Sequence, residues 1–443
     1  MTTRSVCAAA TLLAAVVALP LPSRADEAPA ARAYLNEVLH TLDAVESDLP
    51  RIARAAEAAA APFIAGRDLG VRGGAGLAGE LGGRGGGFMT YHGTPGKPGD
   101  PIFYALGVIQ RGRDPVAQLE REIADARQLR DAGSVVIGLA SVAQLRSYDL
   151  LEPARAACSV LIDNHCPVND TSAAPTMTVV NAAIAWAWSS ELFAACTRHG
   201  YTPVIRKSPE IDYRLQRYHR YQGLRFHALK QLDPIDPGVL GKAYLDALRG
   251  VLRDVGTASW RPLAEAAHRA AEAKRAGGRV FIRVGGRYLA HHHGGQLAGD
   301  PGVFVGLDHD GSNPAMPHPG PDDFVIALAP TSAPPGTDWW GEPEMLRDAG
   351  RGVCWVVSAY LTQPWDLRPN DILVDQQWPV GDALVKAAGY DVRIAPASGV
   401  VAEAIMWMLA AQVDADLRTA ATRMKPRMHT GAHGTYTQKK PTD

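Results

Sequence analysis

Two stretches of this 443-residue chain carry acidic side chains at matching intervals. Asp163, Pro167, Val168 and Asp170 in VLIDNHCPVND are answered by Asp375, Pro379, Val380 and Asp382 in ILVDQQWPVGD. An apolar run that ends in Asp and passes through Pro-Val to a second Asp predicts a strand delivering its C-terminal end into a loop. A carboxylate there can accept N–H bonds from its own turn or hydroxyls from a ligand, and the spacing leaves both roles open. Moving a proton between neighbouring carbons needs a carboxylate or imidazole within hydrogen-bond reach. Asp163, Asp375, His309 and Glu403 are the candidates for that work. Glu191 and Glu403 stand at different offsets from the paired Pro175 and Pro396, so each also reads as an ordinary helix residue.

The run GLDHDGSNPAMPH, with Asp308, His309 and Asp310, echoes the front of a calcium loop but lacks the distal acid, Pro319, Gly320 and Pro321 standing near its place. Adjacent His291, His292 and His293 point in different directions on a helix. A polar helix and turn is the simpler reading, and no metal or cofactor is expected. His92 follows Tyr91 at the equivalent place in the first half. Trp339, Trp340, Trp365 and Trp378 offer faces for sugar stacking, although burial is the commoner fate of such rings.

These residues need elements to hold them, and the elements come twice. ARAYLNEVLHTLDAVESDLPRIARAAEAAAAPFIAG and KAYLDALRGVLRDVGTASWRPLAEAAHRAAEAKRAGG each carry apolar residues at helical spacing and lead into glycine-rich turns. PGDPIFYALGVI pairs with PGPDDFVIALAP, LRDAGSVVIGLAS with LRDAGRGVCWVVSA, and APTMTVVNAAIAWAW with APASGVVAEAIMWML. Short apolar strands alternating with helices predict parallel sheets covered on both faces. The units span about 33–228 and 237–418, joined by a Pro-rich linker at 229–236 and followed by a tail at 419–443.

Residues 1–25 place Arg4 before an apolar run and end in small residues, the pattern of a cleaved export signal. Pro20 and Pro22 shorten that run below a membrane span, so stable insertion is not expected. A net charge of −1 gives no general electrostatic reason to bind nucleic acid. Cys158, Cys166, Cys196 and Cys354 permit a disulfide and equally permit buried thiols.

In this order the segments resemble the sugar isomerase (SIS) domain, most closely its uncharacterised phosphosugar-binding branch. The resemblance rests on RGRDPVAQLEREIADARQLRDAGSVVIGLAS, CSVLIDNHCPVND, PTMTVVNAAIAWAWSSELFAACTRHGYTPVIRKS and RYHRYQGLRFH, and it recurs in the second half. It implies an α/β fold of two tandem flavodoxin-like, three-layer units, each with a mainly parallel sheet of about five strands. It also implies association of the units in a pair, with ligand clefts near their contact. In such sheets ligands bind beyond the carboxyl ends of the strands.

The resemblance places ligand contacts at Gly73, Gly74, Gly112, Arg113, Asp163 and Asp170 in the first unit, and at Gly285, Gly286, Thr331, Ser332, Asp375 and Asp382 in the second. The family holds a sugar phosphate with hydroxyl side chains and helix N-termini. Here VIQRGRD has lost both serines, and APTSAPPGT inserts Pro334 and Pro335 where N–H donors would be needed. The expected ligand is therefore an unphosphorylated sugar or cell-wall fragment, bound by a periplasmic or secreted protein. An isomerase or lyase working in one unit and a non-catalytic scaffold are the alternatives. A homodimer of the whole chain is compatible with either.

Overall fold

The computed structural model describes residues 28–424 except 75, 169–173, 209–210, 213, 285–296, 308–317, 329–345, 347 and 359–366. In the first unit, helices α1 (Pro29–Val45) and α2 (Leu49–Ile64) precede strand β1 (Gly70–Gly73) and the short α3 (Leu77–Leu81). Then come β2 (Pro101–Ala105), α4 (Pro115–Asp131), β3 (Val135–Ala140), α5 (Val142–Ser147), α6 (Leu151–Ala157), β4 (Val160–Asp163) and the long α7 (Met177–Arg198). The exposed helix α8 (Gln216–Tyr221) leads into the linker.

The second unit repeats the plan with α9 (Val239–Ala258), α10 (Trp260–Arg275), β5 (Val280–Val284), β6 (Val305–Gly306), β7 (Phe324–Leu328), β8 (Val353–Val357) and β9 (Ile372–Asp375). A small hairpin of β10 (Ala383–Val385) and β11 (Ile394–Pro396) then runs into α11 (Ser398–Met424).

Both main sheets are entirely parallel, and the molecule is the tandem α/β protein that the duplicated sequence predicts. The second sheet has five strands in the order β6-β5-β7-β8-β9, the flavodoxin-like arrangement. The first has four, β1-β2-β3-β4, and lacks the outer strand. Its counterpart stretch from Phe88 to Gly99 contains Pro95 and Pro98 and turns through positive φ at Gly93, Gly96 and Gly99, so it makes a loop. YTPVIRKS, which follows α7, contributes only single bridges, Phe88 to Ile205 and Pro203 to Phe226. Pro203 has no N–H to give a longer ladder.

Side chains alternate along the strands and sort into three apolar clusters. Ile102 and Tyr104 face outward onto α4, α5 and α6, whereas Phe103, Ile137 and Ile162 face inward. In the second sheet Phe281 and Val325 face outward and Ile282, Ile326 and Val374 inward. The inward residues of both sheets belong to one cluster with α7 and α11, so a single core spans the two units.

Helices α2 and α10 line that core with small residues at helical spacing, Ala55, Ala56, Ala59 and Ala60 in one, Ala266, Ala267, Ala270 and Ala271 in the other. Helix α7 is apolar on every side. It is long and apolar enough to cross a membrane, yet it is almost wholly buried within the protein, as a central core helix must be.

The first helices are exchanged. Helix α1 packs chiefly on α11 of the second unit, and α9 packs on α7 of the first. Tyr34 on α1 donates to Pro175 O at 2.9 Å, and Tyr244 on α9 donates to Pro396 O at 3.0 Å, the same contact in each half. The helix starts are capped from the same places. Glu191 accepts from Gly238 N at 2.8 Å and Gly241 N at 2.6 Å, and Gln412, at the matching position, accepts from Ala30 N at 3.0 Å and Ala31 N at 3.4 Å. Glu191 is thus a buried cap for α9. Glu191→Ala should lower stability by about 1–2 kcal/mol, the scale of a lost N-terminal cap, while Glu191→Gln should restore most of it; thermal or urea unfolding of the two variants checks this.

Candidate functional site

The strands of each sheet end level, with Gly73 beside Ala105 and Ala140 beside Asp163 in the first unit. Beyond that edge Asp163 turns the chain. Its Oδ1 accepts from His165 N at 2.9 Å and from Val142 N, at the start of α5, at 3.1 Å. His165 takes φ of 56°, which the Asp carboxylate stabilises by holding its N–H, and its ring meets Asp48 Oδ2 at 3.2 Å. Asp375 makes the same turn: its Oδ1 accepts from Gln377 N at 3.1 Å, and Gln377 has φ of 61°. The two strand-end carboxylates therefore serve their own turns.

Between these turns and the first residues of α7 lies a buried set of amides and hydroxyls. Asn164 Nδ2 donates to Asn181 Oδ1 at 2.8 Å, and Asn164 Oδ1 accepts from Cys166 N at 3.0 Å. Ser141 Oγ donates to Cys166 O at 2.5 Å. Asn181 is 2% exposed and its Nδ2 has no hydrogen-bond partner among the described residues.

The second unit closes the same place. Gln376 donates to Val356 O at 2.9 Å, and its Oε1 accepts from the buried Trp378 indole at 2.8 Å. Trp378 stands where the first unit has Cys166, and Ala402 where it has Asn181. Ser358 keeps the serine contact, donating to Trp378 O at 3.3 Å. Trp378 is thus a core ring with a satisfied N–H.

In the first unit the N–H groups of the loops that the resemblance aligns with a phosphate site are taken by the protein's own acceptors. Asp114 caps α4, accepting from Val116 N at 2.9 Å and Ala117 N at 3.3 Å. Glu122 accepts from Gly107 N at 2.7 Å and from Gln118 at 2.8 Å. Gly73 has positive φ, and a Cβ on it would lie 1.7 Å from Ala105 O, so this glycine permits close strand pairing. Gly74 packs near Ala105, whereas Gly112 and Arg113 sit on an exposed turn. A segment of the second unit covers this loop: Ala298 N donates to Ile109 O at 3.0 Å, and Arg111 donates to Asp300 O.

A second polar group crosses the contact between units. Asp382 Oδ1 accepts from Ala397 N at 2.9 Å and Ser398 N at 2.6 Å, and Oδ2 accepts from Ser398 Oγ at 2.6 Å. Arg84, from the first unit, reaches Asp382 Oδ2 at 3.1 Å and also donates to Ser398 Oγ. Glu80, near the end of α3, lies four residues before Arg84, 4.0 Å from its Nε, and accepts from Trp186 Nε1 at 3.1 Å. Gly399 admits Glu80, since a Cβ there would fall 2.0 Å from its Oε2.

From the other side Glu403 Oε1 accepts from Thr178 Oγ1 at 2.9 Å and from Trp407 Nε1 at 2.8 Å. Burial, only partly offset by Arg84, raises Glu80 to about 7, and burial raises Glu403 to about 8. Glu80 and Arg84 lie in GELGGRGGG, where the glycines suggest only a turn; an acid and a base four apart was the available signal.

The structure therefore brings Asp382 and Glu403 to the contact between units, keeps Asp163 and Asp375 in their turns, and leaves Gly112 and Arg113 apart at the surface. Asp170, Gly285, Gly286, Asp308, His309, Asp310, Thr331 and Ser332, the histidines 291–293, Trp339, Trp340, Trp365 and the signal at 1–25 lie outside the described residues. The described residues contain no cluster of three His, Cys, Asp or Glu able to hold a metal. All four described cysteines are free and buried.

No family model and no curated protein matches the chain. Among solved structures, its fold is similar to that of a Salmonella typhimurium LT2 protein assigned to sugar binding, at 12% identity and a TM-score of 0.44 over 86% of this chain and 99% of that one. It is similar to the C-terminal domain of glucosamine-fructose-6-phosphate aminotransferase from Francisella tularensis, at 10% identity and a TM-score of 0.45 over 85% of this chain and 96% of that one. A third similar structure, from Silicibacter pomeroyi DSS-3 and assigned as a phosphosugar isomerase, has 12% identity and a TM-score of 0.42 over 88% of this chain and 98% of that one.

Proposed function

We propose that this protein binds an unphosphorylated sugar or cell-wall fragment at the strand ends of the first unit, without transforming it. The observation that carries this reading is the buried Asn181 amide, whose Nδ2 has no partner among the described residues, set among the amides and hydroxyls of Asn164 and Ser141. A buried donor left unpaired costs about 1–3 kcal/mol, which a hydroxyl-rich ligand would recover. Asp114 and Glu122 already take the N–H groups that a phosphate would need, and their charge would repel it. Work outside the cytoplasm rests on the signal-like residues 1–25 alone.

One observation favours an isomerase or lyase as the second reading: Glu403 has its acidity shifted to about 8, near the range of a general base, and contacts Thr178 on α7. Its complete burial favours a structural acid instead.

Thermal shift with neutral sugars, sugar phosphates and muropeptides separates these readings. Binding of a neutral sugar that Asn181→Ala weakens by about tenfold or more, and that Gln376→Ala in the second unit leaves intact, is the expected result. Stabilisation by sugar phosphates only, or turnover of a sugar, would replace it.

A further inference from the structure

The chain carries a near-neutral net charge of −1, but residues 201–230 hold seven Lys or Arg against two Asp or Glu. The same stretch is where apolar side chains stand in water. Tyr201, Ile211, Leu224 and Leu229 are four of the seven large apolar residues exposed among the described residues, and Leu229 is fully exposed. A fifth, Val380, adjoins Gly381, the residue against which Ile211 rests.

Its described residues form a pinned flap. Val204 N donates to Arg225 O at 2.9 Å and His227 N to Thr202 O at 2.9 Å, so its two arms run side by side. Beneath it Tyr390 donates to Pro203 O at 2.9 Å, Arg217 and Lys230 pair with Asp391, and Arg225 pairs with Asp68. Those ties use the inner cations. Lys207 and the exposed Arg220 have no carboxylate partner among the described residues, and Arg220 lies over the Tyr221 ring at 5.2 Å.

We propose that this flap is a docking surface for an anionic lipid bilayer. The cationic excess fits a negatively charged surface, and each Lys or Arg near such a surface strengthens binding by roughly fivefold. Tyrosine rings interleaved with guanidinium groups suit headgroup depth, where one end of the ring is apolar and the other wet. Leu224 and Leu229 are what separates a bilayer from an acidic protein. They protrude, and lipid accepts protruding aliphatic side chains without a matching groove. The attachment is peripheral, since no described helix other than the buried α7 is long and apolar enough to cross a membrane. This inference is independent of the sugar reading.

The test is sedimentation of the full chain with phosphatidylcholine vesicles with and without phosphatidylglycerol. Binding only to the anionic vesicles, reversed by salt, is expected. Lys207→Glu with Arg220→Glu should weaken it by about thirtyfold or more. Leu229→Asp should weaken it while leaving thermal unfolding unchanged, because Leu229 buries nothing. Failure to sediment, equal binding to neutral vesicles, or indifference to both variants overturns the proposal. Capture by immobilised poly-glutamate without vesicle binding would reassign the surface to an acidic protein and overturn it as well.

Discussion

Replacing Glu80 and Glu403 together with glutamine should remove most of the pH dependence of stability between about pH 4.5 and pH 8. Both carboxyls are fully buried, and burial raises their pKa values to about 7 and about 8 from an ordinary 4.5. An acid whose folded-state value lies above its unfolded one binds a proton more tightly when folded. Its stabilising contribution is complete below about pH 4.5, declines as the unfolded chain ionises, and is exhausted above the folded value. Each shift corresponds to a few kcal/mol at most. Wild-type protein should therefore unfold more easily at pH 8 than at pH 5, and the double variant should show a much flatter profile. Glutamine keeps the acceptors for Trp186, Trp407 and Thr178. Urea unfolding across that range measures the difference, and parallel profiles for the two proteins would show that neither acid holds a proton in the contact.

Arg84→Met should be the most damaging change at the unit contact, at about 3–5 kcal/mol, because it leaves Asp382 buried without its cation. Arg84 is a tenth exposed and Asp382 about as little, so water screens the pair weakly. Asp382→Asn in the Arg84→Met background should recover a substantial part of the loss, since the stranded charge is then gone. A double variant no more stable than Arg84→Met alone would show that packing of the arginine stem, and not its charge, carries the effect.

The layered fold was legible because its causes are periodic. Runs such as VVIGLA and FVIALA announce strands buried on both faces, and the alanine spacing of α2 and α10 announces helices that pack closely. The turn role of Asp163 and Asp375 was one of the two readings that a strand-end Asp allows, and the sequence did not choose between them. What the sequence concealed depends on partners far away in the chain. Glu191 and Glu403 looked like two similar helix acids. One caps α9, 47 residues on, and the other meets Thr178 across 225 residues. The missing outer strand of the first sheet turned on prolines and glycines in FMTYHGTPGKPG, whose cost to pairing outweighs their apolar neighbours. Trp378 offered a face for sugar stacking, but the ring is buried and its N–H donates to Gln376 Oε1.

The exchange of α1 and α9 bears on how the chain comes into being. Among the described helices α1 leaves the ribosome first and its main partner, α11, last, some tens of seconds of synthesis later at ~5–20 residues per second. Until α11 emerges, the apolar stripe of Leu35, Val38 and Leu42 lacks its main cover, and the nascent protein cannot shut its core one half at a time. Closure of the shared core therefore waits for α11.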